Sequence, residues 1–125
     1  MMNKMNCKIW NRDFSLEIVF DIYKGEAITE KQKEALDVFQ RNADTLLNDS
    51  TEVEKYCLKH NKNEIPDSDI TNIFKYVIPQ KIYVCRSDER KIALLCAYKF
   101  DPEHGIAMVF ENEKLITIDQ QDVVF

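Results

Sequence analysis

The chain has 125 residues, 45% hydrophobic and 10% aromatic, which fits one domain with its own core and excludes a disordered polymer. Its 17 basic and 22 acidic residues are interleaved to a net charge of -5, with no Lys/Arg run that could follow a phosphate backbone, so no nucleic-acid partner is expected. Two glycines are too few for a glycine-rich phosphate loop.

The first elements are strands. "CKIW" is short, and the polar turn Asn11-Arg12-Asp13 joins it to "FSLEIVFDIY", in which Phe14, Leu16, Ile18, Phe20 and Ile22 alternate with polar residues. A period of two marks a strand with one buried face. After Gly25, Thr29-Glu30-Lys31-Gln32 has the form of a capping box, with Thr29 as N-cap and Gln32 reaching back. A helix carrying Ala35, Leu36 and Phe39 follows, and the polar cluster at Arg41-Asn42 is expected to break it. A second helix with Leu46, Leu47, Val53, Tyr56 and Cys57 inward reaches about His60.

"HNKNEIPDSD" reads as a loop. Asp67 or Ser68 then caps a short helix carrying Ile70, Ile73, Phe74 and Val77, ended by Pro79. From there the chain reads as strands: "KIYVCR", "RKIALLCAYKF", "GIAMVFE", "KLITID" and a last short "DVVF". Ala93, Leu95 and Ala97 make even the second face of "RKIALLCAYKF" apolar, which places it mid-sheet. Strands grouped at both ends of a helical middle predict a single α+β domain over 1–125. Its mainly antiparallel sheet has about five or six strands, with two or three helices packed on one face.

Candidate chemistry is sparse. Cys7, Cys57, Cys85 and Cys96 form no C-x-x-C pair and stand beside no histidine, so they read as reduced core thiols and imply no metal or cofactor. Met1-Met2-Asn3-Lys4-Met5 lacks the apolar stretch of a signal peptide and no run approaches a membrane span. A cytoplasmic protein without a membrane partner is the expectation.

Asp101-Pro102-Glu103-His104-Gly105 concentrates two carboxylates and a histidine. Asp, Pro and a following Gly are also the chemistry of a type I turn between two strands. As a turn it lifts Asp101, Glu103 and His104 into solvent, where they can meet a partner. As a site it would be a divalent-metal or acid–base centre. Trp10 and Arg12 are the residue types enriched at interface hot spots, and form the second candidate contact patch; the alternative is that Trp10 packs on the sheet edge and Arg12 pairs with Asp13 or Asp21. No G-x-S-x-G elbow is present, and no catalytic residue is assigned.

"WNRDFSLEIVFDIYKGE", "NIFKYVIPQKIYV" and "FDPEHGIAMVFENEKLITIDQQDVVF" together resemble a family of small bacterial proteins of unknown function that carry a D-P-E-H/Y-G-I-A/G-x-V-F-E-N signature. The resemblance covers nearly the whole chain and brings no catalytic residue with it. Related small α+β proteins sit beside secreted toxins, so the resemblance implies an immunity protein. The function expected is a non-enzymatic cytoplasmic protein-binding module, immunity or regulatory. The alternative is a small-molecule or divalent-metal-binding domain, with hydrolase chemistry at the Asp101-Glu103-His104 loop. Homo-oligomerisation through an open sheet edge at "CKIW" or "DVVF" is a third route.

Overall fold

A computed structural model describes residues 3–66 and 70–125. The strands β1 (Lys4–Ile9), β2 (Arg12–Phe20), β3 (Val77–Val84), β4 (Lys91–Tyr98), β5 (Ile106–Glu111) and β6 (Lys114–Asp119) form one sheet in the order of the sequence. Two helices, α1 (Glu30–Leu46) and α2 (Thr51–Asn61), lie in the chain between β2 and β3. All neighbouring strands are antiparallel except β2 and β3, which run parallel because the chain makes its crossover there through both helices. The fold is α+β with a six-stranded, mostly antiparallel sheet.

Two hairpins are closed by two-residue turns. Ile9 pairs with Arg12 across Trp10 and Asn11, at φ 49° and 69°, and Glu111 pairs with Lys114 across Asn112 and Glu113, at φ 50° and 63°. Two positive φ values in a two-residue loop are the type I′ geometry that matches strand twist. Asn suits it; Trp and Glu do not, and other contacts hold them there. The Trp10 backbone N–H donates to the Leu47 carbonyl at 2.9 Å, and Glu113 receives a two-pronged ion pair from Arg90 at 2.9 and 2.8 Å. The first turn therefore lies one residue earlier than Asn11-Arg12-Asp13.

Thr29 caps α1 as expected: its hydroxyl accepts from Gln32 N at 3.1 Å, and Gln32 Oε1 accepts from Thr29 N at 2.9 Å. The helix does not break at Arg41-Asn42. Arg41 pairs with Asp37 at 2.8 Å, and Asn42 Nδ2 donates to the Val38 carbonyl at 2.8 Å. Their polar groups are thus satisfied on the outer face, while Ala35, Phe39 and Ala43 continue the buried stripe and Leu47 follows them just past the helix.

The short helix expected over residues 70–77 is only a 3₁₀ turn, Ile73–Lys75, and Val77 already belongs to β3. Its proposed caps Asp67 and Ser68 lie outside the described residues. Pro79 sits inside β3, where the register with β4 shifts between Pro79 and Lys81. A residue without an N–H is tolerated at such an irregularity. "DVVF" is not a strand either: Gln121–Val124 form a 3₁₀ turn.

Alternation divides the sheet into two apolar sets. One contains Met5, Leu16, Val77, Ile82, Val84, Ile92, Leu94, Cys96, Tyr98, Ile106, Met108 and Phe110, in a single core with Ala35, Phe39, Ala43, Val53 and Cys57 of the helices. Phe39 meets Phe110 edge-on at 5.4 Å. The other set is Tyr83, Cys85, Ala93, Leu95, Ala107 and Val109, packed with Val19 and Val124. β4 is buried on both faces, as its second apolar set requires.

Candidate functional site

The segment from Lys99 to Gly105 leaves β4 and enters β5. Asp101 organises it. Its carboxylate Oδ1 accepts from the His104 backbone N–H at 3.3 Å, and its carbonyl accepts from Gly105 N at 2.9 Å, which closes one tight turn over Pro102-Glu103-His104. A turn stands where one is expected, closed by an i→i+4 bond rather than the i→i+3 bond of a type I turn, and Gly105 has the expected positive φ, 60°. A Cβ at Gly105 would stand 2.6 Å from the Cys96 carbonyl oxygen and 2.5 Å from Gln121 Nε2, so only glycine fits here.

The same carboxylate binds the imidazole. His104 Nδ1 lies 3.0 Å from Asp101 Oδ1 and 3.2 Å from Oδ2, and Gln120 Nε2 donates to Oδ2 at 3.0 Å. The hydrogen bond from His104, then its charge, hold the Asp101 carboxyl below its ordinary 3.8. Asp101 in turn raises His104 above 6.5, first through that hydrogen bond and then through its charge. The His104 side chain is 41% exposed and that of Asp101 28%, so the pair is presented at the surface. Glu103 is exposed.

Gln121 completes the assembly. Its side chain donates to the Cys96 carbonyl at 3.0 Å and its backbone N–H to the His104 carbonyl at 3.1 Å. The loop and the C-terminal segment are therefore one unit. No local signal marks Gln120 and Gln121. The β5–β6 pairing of Ala107 with Asp119 brings the chain beyond β6 alongside the loop.

At the Trp10–Arg12 turn the structure follows the packed alternative for Trp10 but not the pairing expected with it for Arg12. Trp10 is 5% exposed, its ring 5.7 Å from that of Phe74, because the type I′ turn folds it inward. Arg12 is exposed and makes no pair with Asp13 or Asp21 among the described residues. Its guanidinium lies 3.9 Å over the Phe74 ring. The structure thus separates the two: Arg12 remains on the surface and Trp10 belongs to the packing.

Thiol chemistry is unfavourable. Burial pushes Cys7, Cys57 and Cys85 up to about 11 and Cys96 further, so all four are protonated near neutrality. Among the described residues no three His, Cys, Asp or Glu side chains converge in the manner of a metal site. Among them, no helix is long and apolar enough to cross a membrane.

The fold and site define a small α+β domain with a built surface loop. A family model described as Domain of unknown function (DUF6985) matches residues 2–125, and the chain belongs to that family. No curated protein and no solved structure matches the chain.

Proposed function

We propose that this is a non-enzymatic, bacterial, cytoplasmic protein-binding module, an immunity or regulatory protein, whose contact surface is the Asp101-Glu103-His104 loop with the C-terminal segment beside it. The observation that supports the reading best is the Asp101–His104 pair: half-exposed, fixed by Gln120 and by the turn, and adjoining a segment whose Val123 and Phe125 are 47% and 72% exposed. Charged groups on a rigid rim beside exposed apolar side chains resemble the make-up of a protein interface. Rigidity lowers the ordering cost of binding.

The stretch D-P-E-H-G-I-A-M-V-F-E-N, read as the family signature, supports the same assignment by elimination. Gly105 is required by its backbone, Ile106, Ala107, Val109 and Phe110 are buried, and Asn112 makes a turn. Of the side chains there that remain exposed or half-exposed, Asp101 holds the turn, and of the others, Pro102, Glu103, His104 and Glu111, Glu103 and His104 are the polar ones on the loop itself. Arg12 is the further surface candidate. The reading takes both helices to pack on one face of the sheet, leaving the loop end open.

The test is capture of a stoichiometric protein partner from the lysate of the source organism, comparing the wild type with a Glu103→Lys, His104→Glu double variant of equal melting temperature. Loss of capture by the variant is expected, and undiminished capture would remove this loop as the contact surface. The second reading, a divalent-metal or small-molecule site with hydrolase chemistry at Asp101, Glu103 and His104, draws on the direct Asp101–His104 contact. It requires the melting temperature to rise with a divalent ion and fall back with chelator. Pairing of copies through edge strand β1 requires light scattering to give a dimer mass.

A further inference from the structure

β6 is the last strand of the sheet, so along its outer side the backbone N–H and C=O groups have no strand partner among the described residues. An open edge is a template for another strand, and proteins usually guard it with charge, proline or a bulge. β6 contains no proline, and Ile116 in its middle is 50% exposed. Beside it runs a groove of about 290 Å³ towards α2, whose lining includes Tyr56, Lys59, Leu115 and Ile118.

The charges at the two ends of the strand define what it accepts. Lys114 pairs with Glu111 and Asp119 with Ala107, and those two residues of β5, four apart, share a face. Lys114 and Asp119 therefore share that face as well. Five apart, they would stand on opposite faces of a regular strand. The bulge at Ile116, where the register shifts between Val109 and Phe110, brings them together. Both are exposed, and neither makes an ion pair among the described residues. Asp119 Oδ1 accepts from the Gln120 backbone N–H at 2.8 Å, which leaves Oδ2 for a cation. On the opposite face Leu115 pairs with Phe110 and Ile118 with Met108, and both pack half-buried against the core shared with the helices. The strand is thus positive at its start, apolar within and negative at its end, which makes it the complement of itself run in reverse.

The other edge lacks this property. Lys4 and Lys8 of β1 share a face, paired with Glu17 and Asp13 of β2, so a two-fold axis at Asn6 would set lysine against lysine.

We propose that β6 pairs antiparallel with β6 of a second copy of this chain, joining two six-stranded sheets into one about a two-fold axis. Lys114 of each copy stands opposite Asp119 of the other, and Ile116 opposite Thr117. Leu115 stands opposite Ile118, which continues the core across the seam at the mouth of the groove. The symmetry makes each charge pair occur twice. The interface does not involve the Asp101-Glu103-His104 loop and stands or falls separately.

Sedimentation velocity over a wide concentration range tests it. The wild type should pass from monomer to dimer as concentration rises. Lys114→Asp sets Asp against Asp119 of the other copy, and Asp119→Lys sets Lys against Lys114, so each variant alone should dimerise roughly tenfold or more weakly. An equimolar mixture of the two opposes Asp with Lys at both positions and should recover the dimer. That recovery also shows that both variants are folded. The neutral Lys114→Gln, Asp119→Asn variant, which neither attracts nor repels, should fall between the wild type and the reversals. A wild type that stays monomeric throughout, reversals that dimerise as the wild type does, or a mixture no more dimeric than its components would overturn the proposal.

Discussion

Asp101 is the residue on which the loop turns, because one carboxylate serves three donors: the His104 backbone, the His104 ring and Gln120 Nε2. The pair is fully ionic only between the lowered value of Asp101 and the raised value of His104. For His104, the contribution to stability is whole below its ordinary 6.5 and is lost as pH rises through the raised value. For Asp101, it is whole above 3.8 and is lost as pH falls through the lowered value. The imidazole titration, followed by NMR, should therefore have its midpoint above 6.5 and return toward it in Asp101→Asn; a midpoint indifferent to that substitution would mean the pair does not form in solution. Gly105 and Gly25 supply a second contrast at this scale. Both have positive φ, but a Cβ at Gly25 meets nothing within 4 Å, whereas at Gly105 it strikes a backbone carbonyl. Denaturant midpoints should show Gly25→Ala costing about 1 kcal/mol and Gly105→Ala about 3 kcal/mol, the excess being steric.

Gln32 ties an element to the sheet. Its side chain is 1% exposed, closes the capping box with Thr29, and sends Nε2 to the carbonyls of Asp21 at 2.9 Å and Val84 at 3.3 Å. Those carbonyls stand just beyond β2 and at the end of β3, so one amide fixes where α1 starts relative to the parallel pair. Gln32→Leu keeps the bulk but leaves the Asp21 carbonyl and the Thr29 N–H without their partner. Equilibrium unfolding should show a loss of about 2–4 kcal/mol, against about 1 kcal/mol for Thr29→Ala. Equal losses would reduce Gln32 to a cap. The capping box was legible because its four residues are adjacent in sequence; the reach to Asp21 and Val84 was not, being a tertiary contact. The same division explains the missed elements. Ile70, Ile73, Phe74 and Val77 have helical spacing, yet Val77 pairs with Tyr98, and pairing along β4 outweighs local periodicity. Arg41 and Asn42 look like a break until their i−4 partners are seen. In the candidate site the turn at Asp101 could be read from residue types alone. The roles of Gln120 and Gln121, and the inward rotation of Trp10, depend on strand register and on a turn with two positive φ values.

At the scale of the molecule the two apolar sets of the sheet are covered in different ways. The set shared with the helices has a deep core, whereas Tyr83, Leu95 and Val109 are closed from solvent beside the C-terminal segment, with Val124 packed on them and Phe125 edge-on to Tyr83 at 5.2 Å. That segment is fastened at its start, by Gln120 to Asp101 and by Gln121 to Cys96 and His104, and it is looser at its end, where Phe125 is 72% exposed. A segment anchored in this way should hold the face through Val124 and little through Phe125. Val124→Asp sets a charge against Leu95 and Val109 and should cost about 1–2 kcal/mol, with a rise in binding of a hydrophobic dye as the face opens. Phe125→Ala should cost about 0.5 kcal/mol, the worth of one edge contact, and leave dye binding unchanged. If the two variants behave alike, the segment is not what closes this face. If they differ as expected, the loop that carries Asp101 and His104 also fixes the cover of the second face, and substitutions that break the Gln120 and Gln121 contacts should raise dye binding as Val124→Asp does.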